Sequence, residues 1–150
     1  MVQAGEALSG YRVIAVTHSA GFRGPNTQDL EPEQRAAAEA LGVELLTCQH
    51  AFGGVNRAIR RKLDTYQVDE IIANVFRLFG QGMKVVAEIT LMAADAGLVR
   101  VDVPVLVVAG SGHGADTAVV LQPANAHEFF NLKFMEILCL PSPAHPAFAE

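Results

Sequence analysis

RVIAVTHSAGFRGPNTQDLEPEQRAAAEALGVELLT, residues 12–47, is the stretch whose reading decides the fold. Its first six residues, Arg12 to Thr17, form a short β-branched run that breaks at residues 19–26, a segment dense in glycine, proline and asparagine. This predicts a strand feeding a loop. A helix follows near Glu31, because Pro32 suits a first helical position and residues 34–41 have helix-forming composition, with Gly42 as the stop. Residues 43–47 then read as a second strand. Strand, helix and strand in that order are what a parallel sheet with crossover helices requires.

Outward from this core the pattern continues. Residues 52–63 predict a short helix after the Gly53-Gly54 pair. Residues 68–79 place Val68, Ile71, Ile72, Val75, Phe76 and Phe79 at helical spacing, which predicts a core-facing stripe. Gly80 and Gly82 break that helix before a second one, from near Met83 to Gly97. The apolar run at residues 103–108, VPVLVV, reads as a central strand covered on both faces. Residues 118–121 and 134–140 complete the strand set, and the proline-rich residues 141–150 are expected to be a loose tail.

Composition narrows the function classes. A chain of 150 residues, half of them apolar, fits a single domain with a sizeable core. Its formal charge of −5 argues against nucleic acid, and the basic cluster Arg57, Arg60, Arg61 and Lys62 reads as the solvated face of a helix. Cys48 and Cys139 lie far apart without zinc spacing, and both read as small buried apolar residues. The first ten residues lack a basic and apolar leader pattern, so a cytoplasmic protein is expected. The apolar stretch at 83–98 is interrupted by Lys84, Glu88 and Asp95 and is shorter than the roughly 20 residues of a membrane span, so no membrane partner is expected.

In an open parallel sheet, ligands bind beyond the carboxyl ends of the strands. Three loops are expected at that edge: residues 17–22, 48–54 and 110–117. In the third, Gly110, Gly112 and Gly114 recur at every second position after a strand, so the backbone could approach a phosphate or simply turn tightly. The loop lacks the spacing of a dinucleotide fingerprint and the lysine of a P-loop. Asp116 and Thr117 could bond ligand hydroxyls or cap the turn itself. His18, His50 and His113 each follow a strand and could form an acid-base cluster, although their loops supply no carboxylate or nucleophile to partner them. Ser19 and Ser111 are outside any nucleophile elbow. Lys84 and Glu88, one turn apart in an apolar helix, read as an ion pair, or else Lys84 points from the Gly80–Gly82 kink towards an anion.

VIAVTHSAGF from Val13, QGMKVVAEITLMAADAGL from Gln81 and AGSGHGADTAVVLQPA from Ala109 together carry a family likeness. The chain resembles the small stand-alone proteins grouped as pyruvate kinase C-terminal-domain-like, also called pyruvate kinase alpha/beta domain proteins, from about Gly5 to Pro141. The resemblance implies a three-layer α/β/α fold, its sheet mostly parallel with an antiparallel edge strand, and no kinase chemistry. It also implies bound flavin mononucleotide. The implied contacts are Thr17, His18, Ser19, Gly21 and Phe22 in the first loop, and Gly110, Ser111, Gly112, His113, Gly114, Ala115, Asp116 and Thr117 in the glycine-rich loop. Lys84 joins them as the helix-kink candidate. Relatives carry a further helix and strand before residue 5, which would lie between the strands at 12–17 and 103–108, so the chain reads as N-terminally truncated relative to the family.

The expectation is therefore a small-molecule-binding domain, holding a phosphate-bearing ligand such as flavin mononucleotide. An oligomeric structural or regulatory module, and an enzyme using the loop histidines, are the alternatives.

Overall fold

The computed structural model describes residues 1–112 and 114–142. The chain is a mixed α/β protein that forms two compact units, residues 1–50 and 51–150.

The first unit contains helix α1 (Val2–Ala7), strand β1 (Ile14–Val16), helix α2 (Pro32–Ala40) and strand β2 (Glu44–Leu46). Pro32 opens α2, where its missing N–H costs no hydrogen bond, and Gly42 takes a φ of 77° just past the helix end. The crossover brings β2 parallel to β1, with Ile14 opposite Glu44 and Val16 opposite Leu46. Leu30, Ala38 and Val43 are buried around this pair. A two-stranded ladder is short, and the side chains extend it at both ends. Arg12 clasps Glu44 through two bonds of 2.6 and 2.9 Å. The Thr17 and Thr47 hydroxyls meet at 2.7 Å.

The second unit runs through α3 (Val55–Leu63), α4 (Val68–Arg77) and α5 (Gln81–Asp95) into strands β3 (Val105–Ala109), β4 (Thr117–Gln122) and β5 (Lys133–Cys139), with a 3-10 segment Ala126–Asn131 before β5. Gly80, at φ 105°, separates α4 from α5, and Gly97, at φ 71°, ends α5 with the Leu98 N–H returning to the Ala93 carbonyl. The break at Gly80 and the stop at Gly97 are as expected from the sequence, whereas Gly82, expected to share in the break, lies within the first turn of α5.

Three expectations are corrected. First, among the described residues the ladders are one parallel pair in the first unit and two antiparallel pairs in the second, where the order is β3-β4-β5, instead of a mostly parallel sheet. Only seven residues separate β3 from β4, too few for a parallel crossover, so the chain must return antiparallel. Second, β4 is the central strand of its sheet. In β3, Leu106 and Val108 are half exposed while Val107 packs inward, so the apolar run is covered on one face of the strand only. Third, the six-residue stripe of α4 divides. Ile72 and Phe76 face the core, whereas Val68, Ile71, Val75 and Phe79 are 49–71% exposed. The small side chain of Ala73 sets this face, because it lets α4 approach Ala87 and Leu91 of α5.

Helix α5 carries the core of the second unit. Met83 and Val86 pack on Val107, Val119 and Leu121 of the sheet. Ala87 and Leu91 pack on Phe52 and Ala73. Phe52, Phe76, Phe129 and Phe134 link the two clusters through ring contacts of 5.4–6.3 Å. Cys48 is half-buried and Cys139 exposed, against the expectation of two buried cysteines, because Cys139 sits on the outermost strand of the sheet. Of the tail expected at 141–150, residues 143–150 lie outside the described residues.

Candidate functional site

In the first unit the chain leaves β1 at Thr17 and folds back through a tight loop. The Gly21 N–H bonds the Thr27 carbonyl at 2.8 Å, and the Phe22 N–H bonds the Ser19 carbonyl at 3.1 Å. Gly21 sits at φ 83°, a conformation that side-chain-bearing residues rarely adopt. The turn sets the Phe22 ring beside two imidazoles, the three rings forming a triangle. Phe22 stacks on His18 with centroids 4.1 Å apart and on His50 at 5.2 Å. His18 and His50 are themselves 5.7 Å apart. Two of the three loop histidines thus meet, with Phe22 as the third ring, while His113 lies outside the described residues.

The hydrogen bonds fix the chemistry of the two imidazoles. The Ser19 N–H donates to His50 Nε2 at 3.2 Å, so a neutral His50 carries its proton on Nδ1. His18 Nδ1 lies 2.6 Å from Asp29 Oδ2, and since a carboxylate only accepts, His18 donates there and leaves Nε2 as its basic nitrogen. Asp29 is held below the usual carboxylate range, first by the His18 bond and then by Arg23, whose Nε lies 2.8 Å away. The carboxylate partner that the loops themselves did not supply comes from Asp29, eleven residues on. Nothing in sequence spacing signals that pair, because it is made by the fold-back of an irregular loop. Thr17, by contrast, is buried and committed to Thr47 and the neighbouring carbonyls.

The glycine-rich loop belongs to the second unit. A Cβ on Gly110 would lie 2.0 Å from the Gly114 carbonyl oxygen, so the loop closes on itself at that point. Asp116 ties it: Oδ2 accepts the Ser111 N–H at 2.9 Å and Oδ1 accepts the Thr117 hydroxyl at 2.6 Å. The same carboxylate sits against the first turn of α5, since a Cβ on Gly82 would lie 2.5 Å from Asp116 Oδ1 and 2.2 Å from Thr117 Oγ1. An anion is favoured at a helix N-terminus, and here the protein supplies its own. Gly112, Gly114 and Ala115 are exposed around this tie, and the Ser111 hydroxyl is buried without a hydrogen-bond partner among the described residues.

Lys84 is buried, and its ammonium bonds Glu88 Oε2 within α5, while Glu88 Oε1 accepts the Phe52 N–H at 3.0 Å. Burial pushes the Lys84 pKa down against the pull of Glu88, and the charges of Arg77 and Arg57 push the same way. No cluster of three metal-ligating side chains occurs among the described residues, and no helix there is long and apolar enough to cross a membrane. No protein-family model matches the chain.

Proposed function

We propose that the chain is a cytoplasmic small-molecule-binding α/β domain of the pyruvate kinase C-terminal type, three-layered and without kinase catalysis, whose ligand is a flat conjugated phosphate ester such as flavin mononucleotide. The observation that carries this reading is the His18–Phe22–His50 ring stack at the end of β1. Phe22 is 40% exposed and His18 is exposed, so the platform offers ring faces to a ligand. Offset stacking of a flat ring on such a surface is worth about 0.5–1.5 kcal/mol per aromatic pair. Ser19, Gly21 and Asp29 set the platform's shape, and Thr17 anchors its base. The resemblance also names the glycine-rich loop of residues 110–117, which lies in the second unit, while Lys84, the helix-kink candidate, is bound to Glu88. For the phosphate, Asp116 weighs against the Ser111 amide as a donor, because that amide is already taken.

The test is flavin fluorescence. Stacking quenches it, so titration of flavin mononucleotide into the chain should give saturable quenching, weakened roughly three- to tenfold by Phe22→Ala. Absence of saturation at millimolar flavin, or unchanged quenching in Phe22→Ala, refutes the reading.

Self-association is a second reading with its own support. Val68, Ile71, Val75, Leu78 and Phe79 form an exposed apolar stripe on α4, each 49–78% exposed. An exposed apolar stripe of this kind is the sort of surface that two copies bury against each other. Light scattering reporting a dimer in the wild type and a monomer in Ile71→Glu supports it. A monomeric wild type refutes it.

A further inference from the structure

The basic run of α3 does not simply face solvent. Helical spacing puts Arg57, Arg60 and Arg61 on one side of α3, at i, i+3 and i+4. Opposite them α4 presents Asn74 and Arg77. Between the two helices lies a cavity of about 410 Å³ with Phe52 and Ala73, both buried, in its lining. Arg57, Arg61 and Lys62 are all exposed, as the solvated-face expectation holds, but Lys62 is not part of that lining.

Four guanidinium groups therefore line one cavity against two carboxylates, Asp64 and Glu70. Glu70 is divided between tasks, with Oε2 accepting the Gln67 N–H at 3.3 Å and Oε1 lying 3.5 Å from Arg60. Arg77 is held in place by neutral partners, Gln81 Oε1 at 2.8 Å and Asn74 Oδ1 at 2.6 Å, which fix its fork without cancelling its charge. Arg60 lies over the Tyr66 ring at 3.9 Å and bonds its hydroxyl at 2.8 Å, again a neutral partner. Arg61 makes no ion pair with any described residue. Positive charge at this place also reaches Lys84, whose charged form is opposed by Arg77 and Arg57.

Gathering like charges costs free energy, more so at a partly buried surface than in open water. A bound anion removes that cost. Planar guanidinium forks on two opposed helices suit two tetrahedral oxyanions in particular, because each fork can bind one bidentately. The volume lies within the range of small-molecule sites, and Phe52 with Ala73 offers an apolar floor for an organic portion.

We propose that the cavity between α3 and α4 is a binding site for a small polyanion carrying two adjacent phosphoryl groups. It is built wholly within the second unit and is independent of the ring stack at His18.

Calorimetric titration of the full chain with sodium pyrophosphate, against sodium sulfate at matched ionic strength, tests it. Saturable one-to-one binding of pyrophosphate, tighter than sulfate, is expected. Arg61→Glu, an exposed position, should weaken it roughly tenfold or more, since charge-assisted hydrogen bonds are the strong ones. Lys62→Glu makes the same change of net charge one residue away and should alter affinity by less than about twofold. Arg77→Gln provides a second loss from the opposite wall. Three results each overturn the proposal: no saturable binding, binding indifferent to Arg61→Glu, or equal losses in Arg61→Glu and Lys62→Glu, which would mark diffuse attraction to a basic helix.

Discussion

Replacing Glu88 by glutamine should destabilise the second unit in a way that depends on pH. Glu88 is buried and uses its two oxygens for two donors, the Lys84 ammonium and the Phe52 N–H. Glutamine has one carbonyl oxygen and turns an NH2 towards the other donor. It also leaves a buried ammonium facing the like charges of Arg77 and Arg57. Breaking one side of a buried ion pair costs about 3–5 kcal/mol, a large share of the 5–15 kcal/mol that holds a typical domain. Lys84 is a base whose pKa is already depressed on folding, first by burial. Without Glu88 it falls further, so over the interval between the folded pKa and the unfolded value near 10.4 the unfolded chain binds more protons. Stability then rises with pH there by up to about 1.4 kcal/mol per unit. The deficit of Glu88→Gln should therefore be full near neutrality and shrink as pH climbs. Urea unfolding followed by circular dichroism measures it without the screening that guanidinium salts bring. A deficit under about 1 kcal/mol, or one constant from neutral pH to about 9.5, refutes the reasoning.

Other consequences are as direct. Gly82→Ala should cost about 2 kcal/mol or more despite the better helix propensity of alanine, because its Cβ would lie 2.2 Å from Thr117 Oγ1. A urea midpoint at or above wild type contradicts that. Leu121→Ala, at a fully buried site in the core, should cost about 2–5 kcal/mol, read in the same way. On the acid side, Asp29, Glu44 and Asp102 have folded pKa values lowered, chiefly by bonds from His18, Arg12 and Arg100. Their stabilisation is present above the unfolded values and is lost as pH falls below about 4.5. Asp29→Asn should therefore differ from wild type near neutrality and converge with it in acid, and a gap that persists unchanged to pH 3 refutes this.

Much of the secondary structure was legible because local chemistry dictates it. Pro32 and Gly42 bracket α2, Gly80 and Gly97 bracket α5, and β-branched residues mark β1, β3 and β4. Pairing was less legible. The run at 103–108 looked like a doubly covered strand because Leu106 and Val108 are apolar, yet composition cannot say whether an apolar residue faces a neighbour or solvent. The α4 stripe divided for a related reason: its apolar arc is wider than the face the helix buries, so periodicity could not choose between the side of Ala73 and that of Val75. In the candidate site, His18, Phe22 and His50 were visible from their positions after strands. Asp29 was not, and neither was the wall that Arg77 and Asn74 add to the arginines of α3, because both depend on loop and interhelix geometry.

The two kinds of ladder also differ in how far along the chain their partners must search. Ile14 meets Glu44 thirty positions later, after a loop and a whole helix, whereas Ala109 meets Thr117 across a gap of only eight. Closing the longer span restricts more of the disordered chain before any pairing repays it, and contacts made over short separations form faster. On that ground the β3–β4 hairpin is expected to close before the β1–β2 pair, an order that amide protection followed during refolding would show. The ring platform at the end of β1, which needs that pairing to bring His50 beside His18, is then expected to form only with it.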